Sequence, residues 1–169
     1  YDIREKHYVA VDCVIFGYDL TDKELKLLLV LRSFEPELGK WSLPGGFVKI
    51  NEGVSEAACR VLKQLTGLED VYMEQSYAWG DVNRDTGGRV ITVSHFALIN
   101  TLRLNPVMVE SSAAQWRPVE RLPGLIFDHK KIADRAHREL IERIKLKPVG
   151  FELLPEKFTL VQLQELYEA

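Results

Sequence analysis

Apolar and polar residues follow one another along the chain in blocks that predict a sheet and two main helices. Continuous β-branched and aromatic runs are typical of buried strands, whereas apolar positions three or four apart indicate an amphipathic helix. Strands are predicted at 8–18, 25–31, 71–79, 89–99 and 114–119, and a short strand at 41–48 is interrupted by Pro44-Gly45-Gly46. This order of elements predicts an α/β layer sandwich.

The two predicted helices lie one in each half of the chain. The first spans 55–66, with Ser55 as its N-cap and Gly67 directly after its end, where a left-handed residue is favoured. The second runs from about His129 to Lys145. Apolar residues recur in it at every fourth position, at Ile132, Ala136, Leu140 and Ile144.

The segment 148–169 differs from the rest of the chain. Pro148 and Gly150 interrupt it, and Thr159 with Gln162 fits the capping box of a short final helix. So short a helix is marginal in water by itself. We therefore expect its apolar face to be covered by this domain, by a second copy of the chain, or by a domain that the sequence lacks.

Composition excludes several classes of protein. The chain has 169 residues, 46% of them apolar, and a net charge of −3, which predicts one domain with a short appendage and no electrostatic coating of nucleic acid. No apolar stretch approaches the roughly 20 residues that span a bilayer, and no signal peptide is recognisable. Both cysteines lie in apolar runs, which do not indicate disulfides. We expect a cytoplasmic protein without membrane partners.

One motif carries most of the functional information. Residues 46–68 read GFVKINEGVSEAACRVLKQLTGL and resemble the Nudix box, G-x5-E-x7-R-E-U-x-E-E-x-G-U, in which U is aliphatic. The specified positions that are kept are Gly46, Glu52, Arg60, Leu62, Gly67 and Leu68. The resemblance implies a Nudix fold over roughly 8–147, an α/β/α sandwich with a mixed sheet. It also implies that Glu52, Arg60 and Gly67 are scaffold residues of the box.

The positions that are not kept bear on the chemistry. In the family, the carboxylates there bind the divalent cations that polarise a diphosphate and activate water, whereas here Val61, Gln64 and Leu65 occupy them. Hard cations need oxygen ligands, and valine and leucine offer none. We therefore predict no metal site, no cofactor and no catalytic residue, and a domain that binds its ligand without hydrolysing it.

The alternative is an enzyme, a Mg²⁺-dependent Nudix hydrolase that acts on ADP-ribose or a related nucleoside diphosphate derivative. It would need carboxylates from outside the usual positions. The candidates in the sequence are Glu56, Glu69, Asp70 and Glu74. The simpler interpretation of Glu56 is an i,i+4 ion pair with Arg60.

Two further regions, 33–48 and 80–93, are similar to Nudix proteins that act on ADP-ribose or sense it. Guanidinium groups there could bind a diphosphate or sugar hydroxyls, and aromatic rings could stack on a base. The predicted ligand-binding residues are Arg32, Trp41, Gly45, Gly46, Arg84 and Arg89. Solvated arginines and a core position for Trp41 are the competing interpretations, and Phe34 and Trp79 are further stacking candidates.

The segments 125–129 and 151–160 resemble one subgroup, the Nudix-related transcriptional regulators known from NAD metabolism and from sugar catabolism such as arabinose use. The resemblance implies a degenerate Nudix domain at 1–147 that senses a sugar or sugar-nucleotide, ADP-ribose or a pentose. It implies that 148–169 is a linker and the first helix of a truncated winged helix-turn-helix domain. The implied partners are DNA, through the missing part of that domain, and a second copy in a homodimer.

Overall fold

The computed structural model describes residues 6–69, 71, 73–103, 113–146 and 149–169, and it shows a mixed sheet with a helix on each face. The strands are β1 (Tyr8–Asp19), β2 (Glu24–Leu31), β3 (Trp41–Ser42), β4 (Gly45–Phe47), β5 (Met73–Trp79), β6 (Val90–Asn100) and β7 (Ala114–Pro118). The helices are α1 (Val54–Thr66), α2 (His129–Leu146) and α3 (Leu160–Glu168). The predicted α/β/α sandwich is confirmed. No helix within these described ranges is long and apolar enough to cross a membrane.

Strand β1 is central to the sheet and changes its partner along one edge. The other edge pairs in parallel with β6 over nearly the whole strand, which makes the sheet mixed. On the changing edge, residues 10–12 pair with β4 and residues 16–19 pair with β2, both antiparallel. The sheet therefore divides beside the middle of β1, between β4 and β2.

The side chains of β1 are mostly buried on both faces, as its largely apolar sequence predicts. Val11, Cys13 and Ile15 pack against α1, whereas Val14 and Phe16 pack against α2. Burial of apolar surface is the dominant favourable contribution to folding. The strand is thus held rigidly between the two helices, and the polar residues that it carries are held with it.

The two ends of α1 compare differently with the sequence prediction. The helix begins at Val54 with Gly53 as its N-cap, so the prediction of Ser55 was wrong by two positions. The Glu56 carboxylate accepts a hydrogen bond from the Gly53 N–H (2.8 Å) and satisfies a donor that the helix leaves open. Gly67 has a φ of 72° and donates to the Lys63 carbonyl (2.8 Å), as predicted for the helix end.

Helix α3 packs against the far end of β1. The Thr159 hydroxyl accepts from the Gln162 N–H (3.2 Å), and the Gln162 side chain accepts from the Thr159 N–H (2.8 Å), so the predicted capping box is present. Leu166 helps to bury Tyr18 in an apolar cluster. This domain is therefore one of the partners that α3 requires, although Leu160 at its start remains 83% exposed.

Candidate functional site

A cleft of about 450 Å³ lies where the sheet divides beside β1. Its walls come from β1, β2, the segment that holds β3 and β4, α1, the tip loop (residues 80–88) and the start of α2. The predicted ligand-binding residues that line it are Arg32, Gly45, Gly46 and Arg84. The cleft thus brings together residues from distant parts of the sequence.

Other predicted ligand residues do not line the cleft. Trp41 is half-buried and packs against the core beside α2, and Trp79 packs against the same core. Arg89 donates hydrogen bonds to the carbonyl oxygens of Gly80 (3.0 Å) and Asp81 (3.2 Å). In this structure, Arg89 therefore closes the base of the tip loop.

The positions that hold metal-binding carboxylates in the Nudix box do face the cleft. Val61, Gln64 and Leu65 all line it, and Val61 is only 4% exposed. A Mg²⁺ ion needs several oxygen ligands, whereas this wall offers one neutral amide oxygen. Within the described part of the chain, no group of three or more His, Cys, Asp or Glu side chains is placed to hold a metal ion. The residues of this wall do not fit Mg²⁺.

The carboxylates that were candidates to replace the missing ligands do not line the cleft, as far as the chain is described. Asp70 lies outside the described residues. The partners of Glu56, Glu69 and Glu74 are, in that order, the N–H of Gly53, the ammonium of Lys63 and the guanidinium of Arg143. These acidic groups therefore serve local structure.

An ion pair braces the loop of the Nudix box against α1. Arg60 donates from Nε and Nη2 to the two carboxylate oxygens of Glu52 (2.9 and 2.6 Å), and Nη2 also donates to the Phe47 carbonyl (3.1 Å). The hydrogen bond from Arg60, followed by one from the Lys49 N–H, lowers the pKa of Glu52 to about 2. The predicted pair between Glu56 and Arg60 was wrong, because Arg60 is directed to Glu52 instead.

A second ionic group lies at the floor of the cleft. Arg84, which is 7% exposed, donates from Nε and Nη2 to both oxygens of Asp128 (2.9 and 2.6 Å) and from Nη2 to Asp12 (3.3 Å). Burial opposes the charge of Arg84, but the hydrogen bond to Asp128 and the field of Asp12 outweigh it, so the pKa of Arg84 is raised. This floor cluster (Asp12, Arg84 and Asp128) joins β1, the tip loop and the start of α2.

His129 and Gly45 complete the surroundings of Asp12. The His129 Nδ1 accepts a hydrogen bond from the Leu43 N–H (3.0 Å), which places the ring proton on Nε2. That Nε2 lies 3.6 Å from Asp12 Oδ1. A Cβ on Gly45 would lie 2.7 Å from the same carboxylate oxygen, so this position requires glycine. One oxygen of Asp12 is thus enclosed by an imidazole and a backbone bend.

The floor cluster is not predicted by the local sequence pattern. Asp12 interrupts a run of buried apolar residues, and a charge in such a strand needs a partner; this was the available signal. Asp128 directly precedes α2, where an acidic residue is favoured by the helix dipole and gives no sign of a buried partner. The partner Arg84 is 72 residues from Asp12 and 44 from Asp128, and nothing in the local pattern indicates that pairing.

Aromatic rings surround Arg32 at the mouth of the cleft. The guanidinium carbon lies 4.0 Å from the centre of the Phe34 ring and 5.8 Å from that of Phe127. Its Nε donates to the carbonyl oxygens of Phe34 (3.2 Å) and Pro36. Phe34 and Phe47 also line the cleft and are 59% and 57% exposed, so apolar surface is available to a ligand there.

Two family models match the chain. The NUDIX domain model covers residues 6–155, and the model of the NrtR DNA-binding winged helix domain covers residues 150–169. The first match takes in the whole sheet and the cleft. The second takes in α3.

Two curated relatives are similar over most of the chain. One is the ADPR responsive transcriptional repressor NtrR of Acinetobacter baylyi, 34% identical over 95% of this chain and 65% of its own length. The other is an ADP-ribose pyrophosphatase of Methanocaldococcus jannaschii, 34% identical over 73% of this chain and 69% of its own. This chain therefore spans about two thirds of the length of each.

The solved structures of Shewanella oneidensis NrtR are similar in fold. The complex with a 27mer DNA superposes with a TM-score of 0.84 at 34% identity, covering 95% of this chain and 74% of that one. The NUDIX domain of the same protein, complexed with ADP ribose, gives a TM-score of 0.67 at 33% identity, covering 83% of this chain and 94% of that one.

Proposed function

This chain belongs to the Nudix domain family, and from that premise we propose that it is the effector-sensing part of an ADP-ribose-responsive transcriptional repressor. The observation that carries the proposal is the wall of the cleft, where Val61, Gln64 and Leu65 stand at the metal-binding positions. A ligand cleft without metal ligands suits a sensor. The match of residues 150–169 to a DNA-binding winged helix supports the same conclusion.

ADP-ribose is the effector that we propose. The cleft volume lies within the range of small-molecule sites, and its mouth carries a guanidinium and exposed aromatic rings. These groups suit a diphosphate and a base better than they suit a free pentose. The name of the Acinetobacter relative and the ligand of the Shewanella structure support this choice.

We propose that the ligand is bound without hydrolysis and without a metal cofactor. Diphosphate hydrolysis needs stabilisation of the charge that develops in the transition state, which metal ions usually supply. The wall formed by Val61, Gln64 and Leu65 does not fit such ions. The alternative is a hydrolase, favoured by the 34% identity to an ADP-ribose pyrophosphatase; it would require ligands from other parts of the cleft.

In the proposed mechanism, occupancy of the cleft changes the arrangement of two subunits and of their winged helices in the cytoplasm. Strand β1 runs from Asp12 in the cleft to Tyr18 beneath α3, so one buried strand connects the ligand site to the helix that begins the winged helix match. Coupling requires a different ligand affinity in the two arrangements, typically about 1–3 kcal/mol or 5- to 150-fold. The homodimer and the DNA site are parts of this proposal.

Calorimetric titration with ADP-ribose and then with L-arabinose, in Mg²⁺ and with release of AMP monitored, tests the proposal. We expect saturable binding of ADP-ribose and no AMP. Mg²⁺-dependent release of AMP would support the hydrolase instead. Binding of L-arabinose without binding of ADP-ribose would show that ADP-ribose is not the effector.

The proposed effect of ADP-ribose on DNA binding is tested with a protein that carries both the Nudix domain and a full winged helix domain. For that protein we expect sedimentation as a dimer and an operator affinity that ADP-ribose lowers. An operator affinity that is the same with and without ADP-ribose would contradict the proposed mechanism.

A further inference from the structure

We infer that the cleft is divided into an anion subsite at its mouth, formed by Arg32, and a hydroxyl-binding floor, formed by Asp12 and His129. The inference rests on the proposed function of the cleft as a sensor and deepens it. It requires that the effector carry a phosphate group, bound towards the mouth. The neutral, hydroxyl-bearing end of the effector then lies at the floor.

Arg84 cannot serve as the anion-binding group. It lines the cleft, but its Nε and Nη2 are engaged with the two oxygens of Asp128 and with Asp12. All three side chains are largely buried. If Arg84 turned towards a phosphate, it would leave two buried carboxylates without their counter-charge, which is strongly unfavourable. Arg84 therefore serves as the counter-charge of the floor carboxylates and is not available to an anion.

Arg32, in contrast, is held in place but has no acidic partner within the part of the chain that the structure describes. Its Nε donates to the carbonyl oxygens of Phe34 and Pro36, and its guanidinium carbon lies 4.0 Å from the centre of the Phe34 ring. Among the described residues, neither Nη1 nor Nη2 of Arg32 makes a hydrogen bond or an ion pair. A positioned guanidinium with two open donor nitrogens is well suited to phosphate oxygens.

At the floor of the cleft, the charge has the opposite sign to that of Arg32. Two carboxylates share the guanidinium of Arg84, and Asp85 also lines the cleft, so a phosphate there would meet like charge. The 3.6 Å between His129 Nε2 and Asp12 Oδ1 exceeds a hydrogen-bond distance. A sugar hydroxyl could donate to this oxygen and accept from the imidazole N–H. The floor thus favours hydroxyl groups over anions.

The test compares Arg32→Gln and Arg32→Lys with the wild-type protein in calorimetric titrations of ADP-ribose, D-ribose and inorganic pyrophosphate. Arg121→Gln is the matched control, because Arg121 is exposed, pairs with Glu24 and lies outside the cleft. We expect Arg32→Gln to weaken ADP-ribose binding about 10- to 100-fold, as for loss of charge-assisted hydrogen bonds. Arg32→Lys should be intermediate, and the control should match the wild type.

The outcomes separate this inference from the proposed function. If ADP-ribose binds the wild type and Arg32→Gln equally well, the anion subsite is overturned and the sensor stands. If ADP-ribose fails to bind but pyrophosphate binds and depends on Arg32, the subsite is supported and the effector is overturned. If D-ribose binds saturably whereas neither ADP-ribose nor pyrophosphate binds, the requirement for a phosphate group is overturned. An unchanged melting temperature of Arg32→Gln shows that the fold is intact.

Discussion

Two arginine–carboxylate groups flank the cleft, and they differ in burial and in how far apart their residues lie in the sequence. The brace, Glu52 with Arg60, joins residues eight positions apart within one motif, and water reaches both side chains. The floor cluster joins Asp12, Arg84 and Asp128 from three distant segments, and its members are largely buried. The brace therefore fastens a loop locally, whereas the floor cluster ties β1, the tip loop and α2 into one body.

The cleft keeps its shape without metal-binding carboxylates because other residues hold its backbone. On α1, Arg60 of the brace is directly followed by Val61, the first of the replaced positions. The ionic contacts that hold the backbone are present, and the positions that would hold a cation are apolar or amide. Shape and metal chemistry thus depend on different residues of the same helix, so one can be lost while the other is retained.

The largest expected effect comes from breaking the floor cluster with Arg84→Met. This change removes the counter-charge of two buried carboxylates and should lower the free energy of unfolding by about 3–5 kcal/mol. For a chain of this length, each kcal/mol corresponds to about 2–4 °C in melting temperature. Thermal unfolding followed by circular dichroism measures the change.

Two further variants test whether the effect of Arg84→Met comes from its buried carboxylate partners. Arg121→Met removes an exposed partner of Glu24 and should change stability by less than about 1 kcal/mol. Adding Asp128→Asn to Arg84→Met should recover part of the lost stability, since one uncompensated carboxylate is then neutral. Equal melting temperatures for Arg84→Met and Arg121→Met would contradict the structural role assigned to the cluster.

A smaller effect is expected at the brace, and it should depend on pH. The pKa of Glu52 is about 2 in the folded protein, below its ordinary 4.5, chiefly because Arg60 donates to it. A lowered pKa contributes stability that is full above pH 4.5 and is lost as the pH falls from 4.5 towards 2. Glu52→Gln should therefore be less stable than the wild type near neutral pH, and the difference should shrink in that window.

Urea unfolding midpoints of the wild type and Glu52→Gln, measured from about pH 6 down to about pH 3, test this expectation. Arg60→Gln is the matched control and should show the same reduced dependence on pH, because it removes the same ion pair from the other side. A stability difference between the wild type and Glu52→Gln that stayed constant over this range would show that Glu52 does not act through its ionisation.

The sequence predicted the parts of the molecule that depend on local pattern. The buried strand β1, the end of α1 at Gly67 and the capping box at Thr159 all follow from neighbouring residues. The N-cap of α1 was misplaced because Ser55 is a better capping residue by type than Gly53, and the Glu56 side chain decides the position.

The composition of the site could be predicted only in part, because its main contacts are not local. Arg84 lies in a loop rich in polar residues, where a solvated side chain is the usual expectation, yet folding places it between Asp12 and Asp128. Trp41 and Gly45 are four residues apart, but only Gly45 lines the cleft. Gly45 pairs with Asp12 of β1, whereas Trp41 pairs with β2. Both pairings join separate segments, so the local sequence does not reveal them.

The smallest expected effect concerns metal ions, for which we expect no change in ADP-ribose affinity between excess Mg²⁺ and excess EDTA. Val61 and Leu65 offer no oxygen to a cation, so the affinities should agree within about twofold, or 0.4 kcal/mol. The double variant Gln64→Glu with Leu65→Glu places two carboxylates on the same wall and should gain a dependence on Mg²⁺. If the wild type were itself dependent on Mg²⁺, a cation would have to be held by other carboxylates that line the cleft, beginning with Asp12 and Asp85. The residues that shape the cleft would then also bind the metal, which would contradict the assignment of these two roles to different residues.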